Sequence, residues 1–159
     1  MSYQNPFDLL SAGRVTWNKW RLAYADVQAY QPDLHEAQLP GVDLQGMNLQ
    51  RADLTEANLQ GANLQGADLL EADLRHADLR NANLSHANLQ MTNLRGADLR
   101  YADLSNANLQ EAELNNADLR GANLQGASMN KAFLLTARFD EGVGADFGKV
   151  AAKESAGAL

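Results

Sequence analysis

Two aspartates, Asp53 and Asp73, are the pair in this sequence best spaced for chemistry, twenty residues apart. A chain that closes one turn in twenty residues brings them to about 5 Å, where retaining glycosidases hold their two carboxyl groups. Such a pair also needs a cleft and an apolar neighbour that raises one pKa. The flanking residues Ala52, Leu54, Ala72 and Leu74 point inward instead and leave both carboxylates on a convex face. His76 and His86 are ten residues apart, which puts them on opposite sides of the same turn. His35 lies two turns from His76, roughly 10 Å along the axis. No two of these imidazoles can share a metal. There is no cysteine, so thiolate ligands and disulfides are excluded. No glycine-rich loop is built to cradle phosphate, and no serine has a histidine at a workable spacing. The expectation is a non-enzyme with no cofactor and no metal.

The scaffold that holds these residues is a strict period. From Leu34 to Phe139 every fifth residue is large and apolar, in twenty-two consecutive pentads. Two positions earlier stands Ala in eighteen of them, and between the two lies Asp in nine and Asn in eight. Writing the large residue as i, the unit is Ala-(Asp/Asn)-Leu-x-x. A period of five fits neither the helix nor the strand repeat. It requires a corner in each pentad, with i and i−2 inside. Asp and Asn share a short side-chain oxygen rather than a charge, and that oxygen can bond backbone N–H groups in a turn. Gly recurs at i+2, at Gly41, Gly46, Gly61, Gly66, Gly96, Gly121 and Gly126, where a corner can call for positive φ.

These units, with the lead-in Phe7-Asp8-Leu9-Leu10…Gly13…Trp17-Asn18-Lys19-Trp20-Arg21, resemble the pentapeptide-repeat family. The resemblance implies an all-β solenoid, a right-handed quadrilateral β-helix with a small N-terminal helical cap. Its twenty-two pentads would make about five and a half coils, roughly 26 Å long at strand spacing. The expected units are a cap and irregular lead-in over 1–31, the β-helix over 32–141 and a C-terminal cap or tail over 142–159. The resemblance also implies an alternative function, because some members mimic DNA, bind DNA gyrase and protect it from quinolones.

The formal charge is −7, and residues 33–141 alone carry eight basic and sixteen acidic groups. An acidic shaft argues against direct nucleic-acid binding. It is also too dilute for a DNA mimic, since a duplex carries one charge per about 1.7 Å. No apolar run is long enough to span a membrane, and the N-terminus lacks a signal-like pattern, so a cytoplasmic protein is expected.

At the ends, Asn5-Pro6 reads as a helix start. Phe7, Leu10, Val15, Trp17 and Trp20 form a lid over the first coil, and Gly13 separates two short helices. Leu22 and Val27 suggest an irregular half-coil. Phe133 and Leu135 point outward at the far end. Their cover is either the segment 143–150, anchored by Phe147, or a second copy meeting end to end, with a monomer favoured.

Residues twenty apart stack, which gives four faces. One carries Asp78, Asp98 and Asp118 with Arg80, Arg100 and Arg120. Its neighbour carries Arg75 and Arg95. The other two are rich in Gln and Asn. The lattice of acid and base is either a solvated surface or a docking surface for an unknown protein partner. The expected function is a non-enzymatic scaffold or interaction module that presents rigid flat faces. An enzyme on a β-helix platform is a second alternative.

Overall fold

The computed structural model describes residues 5–23 and 31–141. Backbone pairings between shaft residues are parallel and join positions twenty apart, from Asp33 with Asp53 through Asp118 with Arg138. One turn is therefore twenty residues, with four sides. The leucine N–H donates to the i−1 carbonyl of the next coil, as Leu79 to Asp98 at 2.8 Å, and the i+2 N–H to the i+1 carbonyl, as Asn81 to Arg100 at 3.1 Å. The i−1 N–H reaches back to the preceding coil, as Asp78 to the Ala57 carbonyl at 2.9 Å. Within each pentad the next alanine N–H closes a turn onto the leucine carbonyl, as Ala82 to Leu79 at 3.1 Å.

The interior is a stack of leucines and alanines. Leu54, Leu79 and Leu104 are fully buried, with Ala52, Ala77 and Ala102 beside them. Each buried leucine contributes roughly 1.5–3 kcal/mol. Thr92 replaces an alanine inside and directs its hydroxyl to the Leu69 carbonyl at 2.9 Å, so no buried donor is left unmade.

All twenty i+2 corners from Glu36 to Lys131 have positive φ, and only seven are glycine. Holding an L-residue there costs roughly 1–2 kcal/mol. The ladder bonds on both sides enforce it. At some corners glycine answers a second need. A Cβ on Gly96 would lie 2.6 Å from the His76 ring, and one on Gly121 2.4 Å from the Tyr101 ring. The bulky corner side chain of one coil folds over the bare corner of the next.

The cap comprises α1 (Pro6–Ser11) and α2 (Arg14–Ala23). Asn5 caps α1 through its side-chain oxygen on the Phe7 N–H, and Gly13 separates the helices at φ +86°. Helix α2 occupies the place of a preceding coil. Trp17 Nε1 donates to the Asn48 carbonyl at 2.7 Å, Asn18 Oδ1 accepts from the Asn48 N–H at 2.9 Å, and Arg21 donates to the Gln50 carbonyl at 2.7 Å. Those three backbone groups are the ones an earlier coil would have paired.

The lid differs from the sequence expectation in composition. Leu9, Leu10 and Trp17 are buried and Trp20 is half-buried against Trp17, whereas Phe7 and Val15 stand largely in solvent. Phe7 follows Pro6 in the first turn of α1 and is 42 % exposed. Leu22 is no half-coil residue: it belongs to α2 and is 78 % exposed. Val27 lies outside the described residues, as do the segment 143–150 and Phe147. Among the described residues no helix is long and apolar enough to cross a membrane.

Candidate interaction surface

The outward chemistry begins with the Asx side chains. All seventeen Asp and Asn residues at i−1 accept the N–H of i+1 through Oδ1, at 3.0–3.3 Å. One oxygen per pentad is thus committed to the fold. What remains for a partner is the second Asx atom and the side chains at i+1 and i+2.

On the second face, the column through Leu39, the remainder is a charged lattice. Arg80 grips Asp78 with two bonds, Nε to Oδ1 at 2.8 Å and Nη2 to Oδ2 at 2.6 Å. Arg100 holds Asp98 and Arg120 holds Asp118 in the same geometry. Asp78, Asp98 and Asp118 stack in register, one per coil. Contacts between coils are looser: Arg80 reaches Asp98 at 3.8 Å and Arg138 reaches Asp118 at 3.4 Å. The Arg120 bonds, with Arg138 adding its charge, pull the Asp118 pKa down to about 2. The Arg80 and Arg100 bonds lower Asp78 and Asp98 likewise. The three arginine side chains remain 37–41 % exposed.

The first face, through Leu34, is less regular. Arg75 pairs with Asp73 at 2.7 Å, but Arg95 follows Asn93 and reaches only Glu113 of the next coil at 3.8 Å. Arg75 and Arg95 therefore line a face adjoining the Asp–Arg lattice. Asp53 and Asp73 stack as expected, but each has its own partner: Thr55 Oγ1 donates to Asp53 at 2.6 Å, and Arg75 holds Asp73. His35 Nδ1 lies 2.7 Å from Thr55 Oγ1, a contact that the sequence reading missed although the twenty-residue spacing encodes it. It sits on an open rim, with the His35 side chain 45 % exposed, where water competes for every bond.

The amide faces stack by hydrogen bonds along the shaft. Gln45 donates to Gln65 at 3.0 Å, Asn63 to Asp43 at 3.0 Å and Asn88 to Asp68 at 2.9 Å. Asn can donate back to the coil before it, whereas stacked Asp cannot. The columns that stack Asp on Asp are the ones supplied with Arg.

Phe133 and Leu135 point outward, 56 % and 93 % exposed. Met91, which the sequence reading did not single out, adds a third exposed apolar side chain at a first-face corner.

Comparison with known proteins bears on this scaffold directly. The family model for pentapeptide repeats matches in eight copies, over residues 33–69, 62–100 and 102–140. Among solved structures, HetL, a pentapeptide repeat protein involved in heterocyst differentiation regulation from the cyanobacterium Nostoc sp. strain PCC 7120, is 34 % identical, with 69 % of this chain and 62 % of that one covered and a TM-score of 0.47. This chain thus spans less than two thirds of that relative's length. Rfr23 from the cyanobacterium Cyanothece 51142 is 27 % identical, with 79 % and 99 % covered and a TM-score of 0.60. QnrB1, a plasmid-mediated fluoroquinolone resistance protein, is 14 % identical over 77 % and 78 % with a TM-score of 0.35, too distant to bear on function. Curated protein sequences gave no match.

Proposed function

The chain belongs to the pentapeptide-repeat family, whose fold is the right-handed quadrilateral β-helix, and from that premise we propose that it is a non-enzymatic scaffold that docks a protein partner on its charged second face. The observation that carries this reading is the lattice of Asp78–Arg80, Asp98–Arg100 and Asp118–Arg120, held bidentate and repeated once per coil. A bidentate pair fixes a long arginine in one geometry, so part of the ordering entropy of binding is spent before a partner arrives. Exposed ion pairs add little to stability. A lattice of this order is better accounted for by recognition, where charge complementarity sets register and partner choice. Arg75 and Arg95 extend the basic elements around the corner. The division into a cap over 1–31, a shaft over 32–141 and an end segment over 142–159 is part of this reading, as is a cytoplasmic setting.

The test compares the full chain with a variant carrying Arg80→Gln, Arg100→Gln and Arg120→Gln. Both are immobilised, exposed to host lysate, and the retained proteins identified by mass spectrometry. The expected result is a protein retained by the parent and lost from the variant. Identical retention by both, or none by either, overturns the proposal.

A further inference from the structure

The corner column that follows the second face reads Gly41, Gly61, Asn81, Tyr101 and Gly121, all at positive φ. Glycine and asparagine suit that conformation best. Tyr101 holds it at φ +60° with a bulky side chain that is 68 % exposed. The ring folds along the shaft over Gly121, where an added Cβ would come within 2.4 Å of it. It is thus set against the next coil without being buried. Backbone strain at an exposed aromatic that adds nothing to the core points to a use outside the fold.

Arg100 precedes Tyr101 and Arg120 precedes Gly121, so the ring spans the coils of both. Bonds to Asp98 and Asp118 hold these guanidiniums above their ordinary pKa range. The Tyr101 phenol adds to the shift in both, which puts it within electrostatic reach of each. A guanidinium has five N–H donors. The carboxylate of its own pentad takes Nε and one Nη2 proton of each. Both Nη1 protons and the second Nη2 proton have no hydrogen-bond acceptor among the described residues. The acids are in the opposite condition. Asp98 Oδ1 accepts the Arg100 backbone N–H and Nε, and Oδ2 accepts Nη2. Arg120 fills Asp118 in the same way. Across each pentad the order is Asp, Arg, corner, so the arginine column stands between the aspartates and the ring. Beside Tyr101 the face therefore offers spare donors and little spare acceptor.

We propose that Tyr101, Arg100 and Arg120 are the anchor of the docking face and bind an extended acidic segment of a partner protein, in which an aspartate or glutamate stands two residues from a bulky apolar side chain. This rests on the second face being a docking surface, and it names what that surface takes. The carboxylate sits on the free edges of the Arg100 and Arg120 guanidiniums, whose residues stack one coil apart at about 4.8 Å. The apolar side chain lies on the open side of the Tyr101 ring. Residues two apart project from the same side of an extended segment, so both reach the surface together. Tyrosine and arginine are among the residues that dominate binding energy at interfaces.

The probe is an end-blocked peptide, Gly-Ser-Leu-Gly-Glu-Ser-Gly, titrated into the isotopically labelled full chain and followed by NMR at backbone and arginine Nε–H groups. Saturable shifts centred on Arg100, Tyr101, Arg120 and Gly121 are expected. The peptide with lysine in place of glutamate should bind at least about tenfold more weakly. Tyr101→Asn gives the corner the residue found at Asn81. That variant should melt within about 2 °C of the parent while losing affinity at least about tenfold. No saturation, shifts centred on another face, or equal affinity for the lysine peptide would each overturn the proposal. So would equal affinity in Tyr101→Asn, or a melting temperature well below the parent's, which assigns the ring to stability. Retention from host lysate separates the anchor from the wider reading. A protein kept equally by the parent and Tyr101→Asn, yet lost from the variant carrying Arg80→Gln, Arg100→Gln and Arg120→Gln, overturns the anchor and leaves the docking face standing. Equal retention by all three overturns both.

Discussion

A single pentad sorts its residues by how much each matters to the fold. Leu79 is fully buried, whereas Arg80 bonds a carboxylate in solvent. Leu79→Ala should cost about 2–5 kcal/mol through lost burial and a cavity, and Arg80→Gln under about 0.5 kcal/mol, read from urea unfolding. The interchange of Asp and Asn was legible in the sequence because the turn needs only an oxygen, and all seventeen supply it. The corner geometry was legible only where glycine marked it. Thirteen other residues share the same positive φ because the ladder imposes it, and nothing in their side chains announces the strain. Gly121→Ala should destabilise by more than the φ strain alone, since its Cβ would meet the Tyr101 ring. Adding Tyr101→Ala should recover part of the loss in a double-mutant cycle. Asp118 tests the ion pairs. Its folded pKa, about 2, lies below the unfolded value of about 3.9, so its contribution is complete only above about pH 5 and is lost as pH falls toward 2. Asp118→Asn keeps the turn oxygen and should flatten that part of the stability profile.

Helix α2 solves the open-edge problem of a solenoid with three side chains at i, i+1 and i+4. Trp17, Asn18 and Arg21 answer three backbone groups of the first coil's edge. Asn18→Ala should cost about 1–3 kcal/mol, because it strands the Asn48 N–H, and thermal unfolding will show it. The helix start was readable from Asn5-Pro6 and the break from Gly13, both local signals. The docking of α2 was not readable, because the partners are backbone groups, two carbonyls and one N–H, and backbone groups carry no sequence signature. For the same reason Leu22 read as a coil residue by its spacing from Val27, whereas α2 carries it into solvent. The far end follows the same logic on a smaller scale. Thr136 and Asp140 accept the N–H groups of Asn116 and Gly121 through their side chains, in place of the carbonyl of the regular ladder.

At the level of the whole molecule, the period of five called for a corner in each pentad, the family resemblance supplied the four-sided section, and the twenty-residue stacking that follows puts Asp78, Asp98 and Asp118 in one column, as the backbone pairings have them. The lattice also bears on the DNA-like alternative. Its aspartates are neutralised within their own pentads, so the second face presents alternating signs where a duplex presents one. The central claim is that this order serves a partner rather than the fold. The most direct test is calorimetric titration of the retained protein into the parent and into the variant carrying Arg80→Gln, Arg100→Gln and Arg120→Gln, with both melting curves alongside. The account predicts affinity lowered at least about tenfold, growing steeper at low salt, with melting changed by under about 0.5 kcal/mol per site. Unchanged affinity, or a variant that unfolds in step with its loss of binding, would contradict it.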